Sequence, residues 1–211
     1  MKNIVIIGSG EDYSKEKLKR HCERASFIIA SDGGAKIALD NNIKPDIIVG
    51  DFDSIDNINE DKYRNIKKKR FPCEKDLTDS EIALRMAIEK KPTNINLFCM
   101  TGFYIDHSLA NMYNLLRNYN ENIEIKIITS NSEIFLIKNE KKITECKGKR
   151  FSLFPLENIY GLEIIGSKYT FNSKNINFTD YSVSNVFIEN SGFIKLQKGT
   201  LLCIIFDYGY E

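Results

Sequence analysis

Five short apolar runs, Ile4–Ile7, Ser26–Ala30, Ile47–Val49, Ile95–Cys99 and Ile123–Thr129, recur through residues 1–130, with polar segments of helical period between them. That alternation constrains the fold more than any other feature. Strands separated by helices assemble as βα units, giving a mainly parallel sheet with helices on its faces. From Ser132 the helical period stops. Short β-prone runs follow at Ile134–Ile137, Arg150–Phe154, Gly161–Ile165, Val186–Ile188, Phe193–Gln197 and Leu201–Phe206, with Gly, Asn, Ser and Lys turns between them. This texture predicts a small antiparallel sandwich or barrel. The polar stretch Lys138–Lys142 reads as the connection, so the expected division is an α/β domain over 1–137 and a β-sandwich domain over 138–211.

The carboxyl ends of strands border the ligand crevice of an open α/β sheet. Acids recur at those ends. The third run leads into Gly50-Asp51-Phe52-Asp53-Ser54, and the second into Asp32-Gly33-Gly34. Asp76 and Asp79 lie near one helix start and Asp106 at another. A lone D-x-D is either a solvated acidic turn or a site where hard oxygens hold Mg²⁺ against phosphate. Four acidic positions in one domain favour the second. Gly8-Ser9-Gly10 after the first run offers backbone amides to a phosphate. Tyr13 occupies the third glycine position of a dinucleotide fingerprint, so a plain βα turn is the alternative. Thr78 reads as a helix N-cap with Glu81 as its capping-box partner. That cap does not account for Lys75 and Asp76. Asp106 reads as the cap of a helix through Leu116, with His107 pairing to it. Residues 56–70 read as a helix with a basic, solvated end at Lys67–Arg70.

Bulk composition excludes several classes. Lys+Arg 30 against Asp+Glu 29 leaves a net charge of +1, so no whole-chain field attracts nucleic acid. The apolar runs are too short to span a bilayer. Five cysteines without C-x-x-C spacing read as reduced cytoplasmic thiols, and two histidines leave little room for a His-rich metal site.

The ordered set Asp32-Gly33-Gly34, Gly50–Ser54, Glu74-Lys75-Asp76-Leu77-Thr78-Asp79 and Thr101-Gly102-x-x-x-Asp106-His107, with Asn111 one turn on, resembles thiamine pyrophosphokinase (thiamine diphosphokinase). Ser182-Val183-Ser184-Asn185 extends the resemblance into the β half. The resemblance implies an α/β ATP-binding domain, a β-sandwich, and a homodimer with its active site between subunits. It implies transfer of a pyrophosphoryl group from ATP to the thiamine hydroxyl, with release of AMP. Asp51, Asp53 and Asp76 would hold Mg²⁺ and form the catalytic set. Asp32, Lys75, Asp79, Thr101, Gly102, Asp106 and His107 would bind ATP. Ser184 and Asn185 would line the thiamine pocket. Either Asp53 or Asp76 would accept the hydroxyl proton.

Two departures stand out. The family commonly reads Gly-Gly-Arg where this chain has Gly102-Phe103-Tyr104, and Tyr104 brings no charge. Lys75, Lys36 and Lys168 are the alternative cations. The chain has no tryptophan, so Tyr181 or Phe187 would stack on thiamine. Two rival readings remain at this stage. One is a binding regulator with weak or lost catalysis. The other is a magnesium phosphatase of the haloacid dehalogenase type, against which the D-x-D stands on the third run and not the first.

Overall fold

The computed structural model describes residues 2–52, 65–71 and 77–209. Asp53, Lys75 and Asp76 lie outside the described residues. The chain divides into two compact units, Met1–Ser130 and Asn131–Glu211.

In the first unit, β1 (Asn3–Ile7), β2 (Phe27–Ser31), β3 (Ile47–Gly50), β4 (Lys67–Arg70), β5 (Asn94–Phe98) and β6 (Glu124–Ile128) lie in the order β6-β5-β1-β2-β3-β4. All the pairings among them are parallel. β1 is central because Ile4, Val5, Ile6 and Ile7 are apolar on both faces and fully buried. The chain grows outward from β1 through β2, β3 and β4, then returns to β5 on the other side. The strand order therefore reverses between β1 and β5, where open α/β sheets bind their ligands.

Four helices are described: α1 (Lys15–Glu23), α2 (Gly34–Asp40), α3 (Asp79–Glu89) and α4 (Ile105–Arg117). Ser14 caps α1, its hydroxyl accepting from the Lys17 N–H at 3.3 Å. Leu18 and Cys22, one turn apart, turn inward and join Val5, Ile7, Phe98 and Cys99 in one apolar cluster. Thr78 caps α3, accepting from the Glu81 N–H at 3.2 Å. The expected capping box does not close. The Glu81 carboxylate is 3% exposed and accepts from Arg85 at 2.8 Å and Arg117 at 3.2 Å. Two guanidiniums satisfy a buried carboxylate better than one backbone amide does.

Residues Lys67–Arg70 correct the sequence reading. They form β4, an exposed parallel edge strand paired to β3, and not a helix end. Lysines suit an edge because they discourage further pairing.

Burial pushes two thiols upward. Cys22 and Cys99 rise from an ordinary 9.0 to about 12, chiefly by loss of water and secondarily by negative neighbours: Glu23 for Cys22, and Cys22 and Asp12 for Cys99. Above about pH 9 the unfolded chain releases these protons, whereas the folded chain holds them until about 12. The unfolded state then binds fewer protons, so stability falls as pH rises through that window. Urea midpoints should drop between pH 8.5 and 10.5, and Cys99→Ala should flatten the slope. An unchanged slope in that variant would refute the assignment.

The second unit holds two antiparallel sheets. One is β12 (Ser182–Val186), β9 (Arg150–Pro155), β14 (Leu201–Phe206) and β7 (Ser132–Ile137), in that order. The other is β11 (Phe171–Ile176), β10 (Ile159–Ile165), β13 (Ser191–Lys195) and β8 (Glu140–Thr144). Phe135, Phe151, Leu153, Leu201 and Cys203 from the first sheet share a core with Ile159, Leu162, Ile164 and Ile194 from the second. Alternate residues along β7, β9 and β14 face this core, which makes the unit a sandwich. Of the expected connection Lys138–Lys142, residues 140–142 instead belong to the strand β8.

Candidate functional site

The acids of the first unit gather where β2 and β3 end. Asp32 follows β2 in a left-handed conformation, φ 41°, and its N–H donates to the Val49 carbonyl at 2.7 Å. Across from it, a Cβ on Gly50 would stand 3.1 Å from the Asp32 Cβ. Only a residue without a side chain lets the two strand ends close to this distance. Glycine thus places Asp32 beside the Asp51 turn. Phe52 has φ 70° and is 6% exposed. Its ring packs with Ala30, Ala35, Ile48 and Ile66. The middle residue of the D-x-D is therefore an apolar anchor that holds the turn in place.

Carboxylates at these ends are hard oxygen donors, and two of them plus phosphate oxygens suit a hard divalent cation. Among the described residues, no three His, Cys, Asp or Glu side chains form a metal cage. The donor set fits a cation held jointly by protein and substrate.

The glycine turn after β1 follows the plain-turn alternative. Its amides do not await a phosphate. Gly8 N–H donates to Phe98 O at 2.8 Å, Gly10 N–H to Cys99 O at 2.8 Å, and Asp12 N–H to Thr101 O at 3.2 Å. A Cβ on Gly8 would stand 2.5 Å from the Cys99 carbonyl oxygen. These glycines allow close backbone approach to the segment after β5, and they prolong the β1–β5 pairing.

That segment carries Thr101 and Gly102. Two acids missed by sequence reasoning brace it. Glu11 accepts the Phe103 N–H at 3.0 Å, and Asp12 accepts the Thr101 hydroxyl at 3.2 Å and the hydroxyl of Ser130. From α4, the Ser108 hydroxyl accepts the Gly102 N–H at 3.2 Å, and the Asn111 amide donates to Met100 O at 2.8 Å. The sequence signal was the Glu-Asp pair directly after the glycine turn.

Asp106 does not cap α4. The N-cap is Tyr104, and the Asp106 carboxylate accepts the neighbouring His107 N–H at 2.9 Å within the first turn. The helix begins two residues earlier than a capping aspartate requires. Asp106 and His107 are both exposed, and the Tyr104 and His107 rings lie 5.7 Å apart. Asp79 opens α3.

In the second unit, Ser184 sits at φ 63° in an irregular stretch of β12, its N–H donating to the Ser152 hydroxyl at 3.2 Å. Asn185 is 1% exposed. Its amide accepts the Tyr169 N–H at 3.1 Å and donates to the Tyr169 carbonyl at 2.7 Å. It therefore clasps the 167–169 segment to β12. Phe187 is fully buried and stacks on Phe151 at 4.3 Å, so it cannot stack on a ligand. Tyr181 is 67% exposed and lies 6.0 Å from Phe154.

Comparison with known proteins follows the same two-part division. The family model described as thiamin pyrophosphokinase, catalytic domain, matches residues 18–127. The model described as thiamin pyrophosphokinase, vitamin B1 binding domain, matches residues 133–201. A Bacillus subtilis (strain 168) thiamine pyrophosphokinase is 33% identical over 213 residues, covering 97% of this chain and 98% of the relative. The crystal structure of a thiamine pyrophosphokinase from Bacillus subtilis superposes with a TM-score of 0.87 at 30% identity, covering 97% of this chain and 99% of the other. A thiamin pyrophosphokinase structure from Geobacillus thermodenitrificans shares the fold at TM-score 0.83 and 24% identity, covering 97% of each chain.

Proposed function

The chain belongs to the thiamin pyrophosphokinase family, and from that premise we propose that it transfers a pyrophosphoryl group from ATP to the hydroxyl of thiamine, giving thiamine diphosphate and AMP. The observation that carries the reading is the juxtaposition of Asp32 and Asp51 across Gly50, inside the segment matched by the catalytic-domain model.

Asp51, with Asp53 and Asp76, would hold Mg²⁺, with Asp32 beside it. A bound divalent ion neutralises phosphate charge and orients the polyphosphate. The protein's own part is mainly positioning, since in-line transfer to an alcohol needs alignment and charge neutralisation. The Thr101–Gly102 segment, braced by Glu11 and Asp12, presents a fixed backbone to the nucleotide. Asp106 and His107 flank it from the exposed start of α4, and Lys75 and Asp79 complete the ATP set. Asp53 or Asp76 accepts the proton of the thiamine hydroxyl. Ser184 contacts thiamine. Asn185, being buried, acts through the Tyr169 segment that it holds.

The homodimer belongs to the same reading. It is supported by α4, whose buried residues include Ser108, Asn111 and Asn114 while Ile105, Leu109 and Tyr113 are exposed. A helix with its apolar residues outward calls for a covering surface. Cytoplasmic location is supported by four cysteines among the described residues that are buried and form no disulfide. Among the described residues no helix is long and apolar enough to cross a membrane.

The test is purified protein with ATP, Mg²⁺ and thiamine, with products read by mass spectrometry. AMP and thiamine diphosphate should form together. ADP with thiamine monophosphate, or no product despite ATP binding, would overturn the reading. Light scattering on the same sample should give twice the chain mass, and a monomer would remove the shared-site part.

A further inference from the structure

Two carboxylates facing a triphosphate repel it, and one divalent ion does not balance that charge. The segment after β5 supplies no cation before α4, since Phe103 and Tyr104 stand there, 81% and 64% exposed. The opposite flank of the D-x-D turn does supply one. Arg70 is the last residue of β4 and pairs with Gly50 in the parallel register. Its Nε donates to the Asp51 carbonyl oxygen at 3.1 Å. Its guanidinium carbon lies 5.8 Å from the centroid of the buried Phe52 ring. The charge is thereby held at two points on the Asp51-Phe52 turn. Backbone pairing fixes it further, as Phe71 N–H donates to Gly50 O at 3.1 Å.

Nε is engaged by that carbonyl, while Nη1 and Nη2 make no hydrogen bond among the described residues. This leaves the outer edge of the guanidinium, whose planar donors match phosphate oxygens. The neighbouring lysines differ. Lys68 lies 6.0 Å from the Phe52 centroid, and Lys69 lies 5.2 Å from the Phe71 centroid. Among the described residues, no side-chain hydrogen bond ties either lysine to the Asp51-Phe52 backbone. Lys67 pairs with Ile47 at the far end of the strand.

We propose that Arg70 is a phosphate-binding residue of the ATP site, gripping the end of the polyphosphate that Asp51 also faces. This rests on the reading of the site as an ATP site. Arg70 would supply from β4 the fixed positive charge that the Phe103-Tyr104 loop lacks.

Calorimetric titration with ATP and with AMP, both with Mg²⁺ and without thiamine, tests it on the intact protein. Arg70→Gln should weaken ATP about ten- to hundredfold, the range for loss of a charged hydrogen bond, and leave AMP within about twofold, since AMP lacks the contacted phosphates. Arg70→Lys should fall between, keeping charge without the fork. Lys67→Gln, removing the same charge from the far end of β4, should change ATP by less than about threefold. Equal losses for ATP and AMP, or no greater loss in Arg70→Gln than in Lys67→Gln, would overturn the proposal. Melting curves of each variant separate affinity from folding, and Arg70→Lys preserves the test if Arg70→Gln is unstable. Failure here is distinguishable from failure of the activity. An active enzyme with an ATP-insensitive Arg70→Gln refutes only Arg70, whereas ATP binding without AMP production refutes only the transferase.

Discussion

Asp51→Asn is expected to lower kcat/KM by roughly a thousandfold, at the upper end of what one preorganised electrostatic group is worth in an active site. The substitution is nearly isosteric and removes a charge without disturbing what builds the turn. Phe52 remains buried in its cluster. The Arg70 bond is made to the Asp51 backbone carbonyl, which the substitution leaves in place. Melting temperature should therefore stay within about 2 °C, a shift of no more than about 0.5–1 kcal/mol for a chain of this size. Asp46→Asn provides the contrast at the other end of β3. Its carboxylate accepts the Ile28 N–H at 2.7 Å, so it serves the strand entry. That variant should lose about 1 kcal/mol of stability and retain kcat. If Asp51→Asn keeps more than a tenth of wild-type turnover, the acids at this strand end are not the catalytic set.

The second large effect is on stability. Phe187→Ala should destabilise the protein by about 3–5 kcal/mol, the range for deleting a fully buried aromatic ring. The ring is fully buried and stacked on Phe151, with an interplanar angle of 23°. A Cβ on Gly192 would collide with it, so the neighbouring strand already yields a side chain to make room. Tyr181→Ala should cost less than about 1 kcal/mol, because the ring is largely in water already. Urea unfolding of the two variants, with KM for thiamine measured on each, separates a core role from a ligand role. A Phe187→Ala protein of normal stability but raised thiamine KM would contradict its placement in the core.

The central strands were legible because burial on both faces writes itself as runs such as Ile4–Ile7 and Ile47–Val49. The edges were not. β4, β8 and β11 read Lys-Lys-Lys-Arg, Glu-Lys-Lys-Ile-Thr and Phe-Asn-Ser-Lys-Asn-Ile. Each pairs on one side only, so backbone hydrogen bonds define it and its side chains remain free to be polar. In the site, Asp32 and Asp51 were legible as acids at strand ends. Whether glycine amides were available was not. Residues 8–12 and 98–101 are distant in sequence, so their mutual hydrogen bonds leave no local pattern. The same holds for Glu81, whose expected partner was three residues away and whose actual partners include Arg117. Asn185 was recognised as a polar residue in a significant place. Its burial beneath Tyr169 followed from the irregularity in β12, which no spacing rule encodes.

The position of β1 has a consequence for how the protein is made. β1 pairs with β5 from Asn3↔Asn94 to Ile7↔Phe98. At ribosomal speeds of about 5–20 residues per second, several seconds separate the emergence of these two strands. For that time one edge of the nascent Ile4–Ile7 run has no β5 to pair with. A β-branched, uncharged segment with an open edge is a template for association between nascent chains. The most buried strand of the finished enzyme is therefore its most vulnerable during synthesis, and slow translation before residue 94 would lower soluble yield without altering the native state.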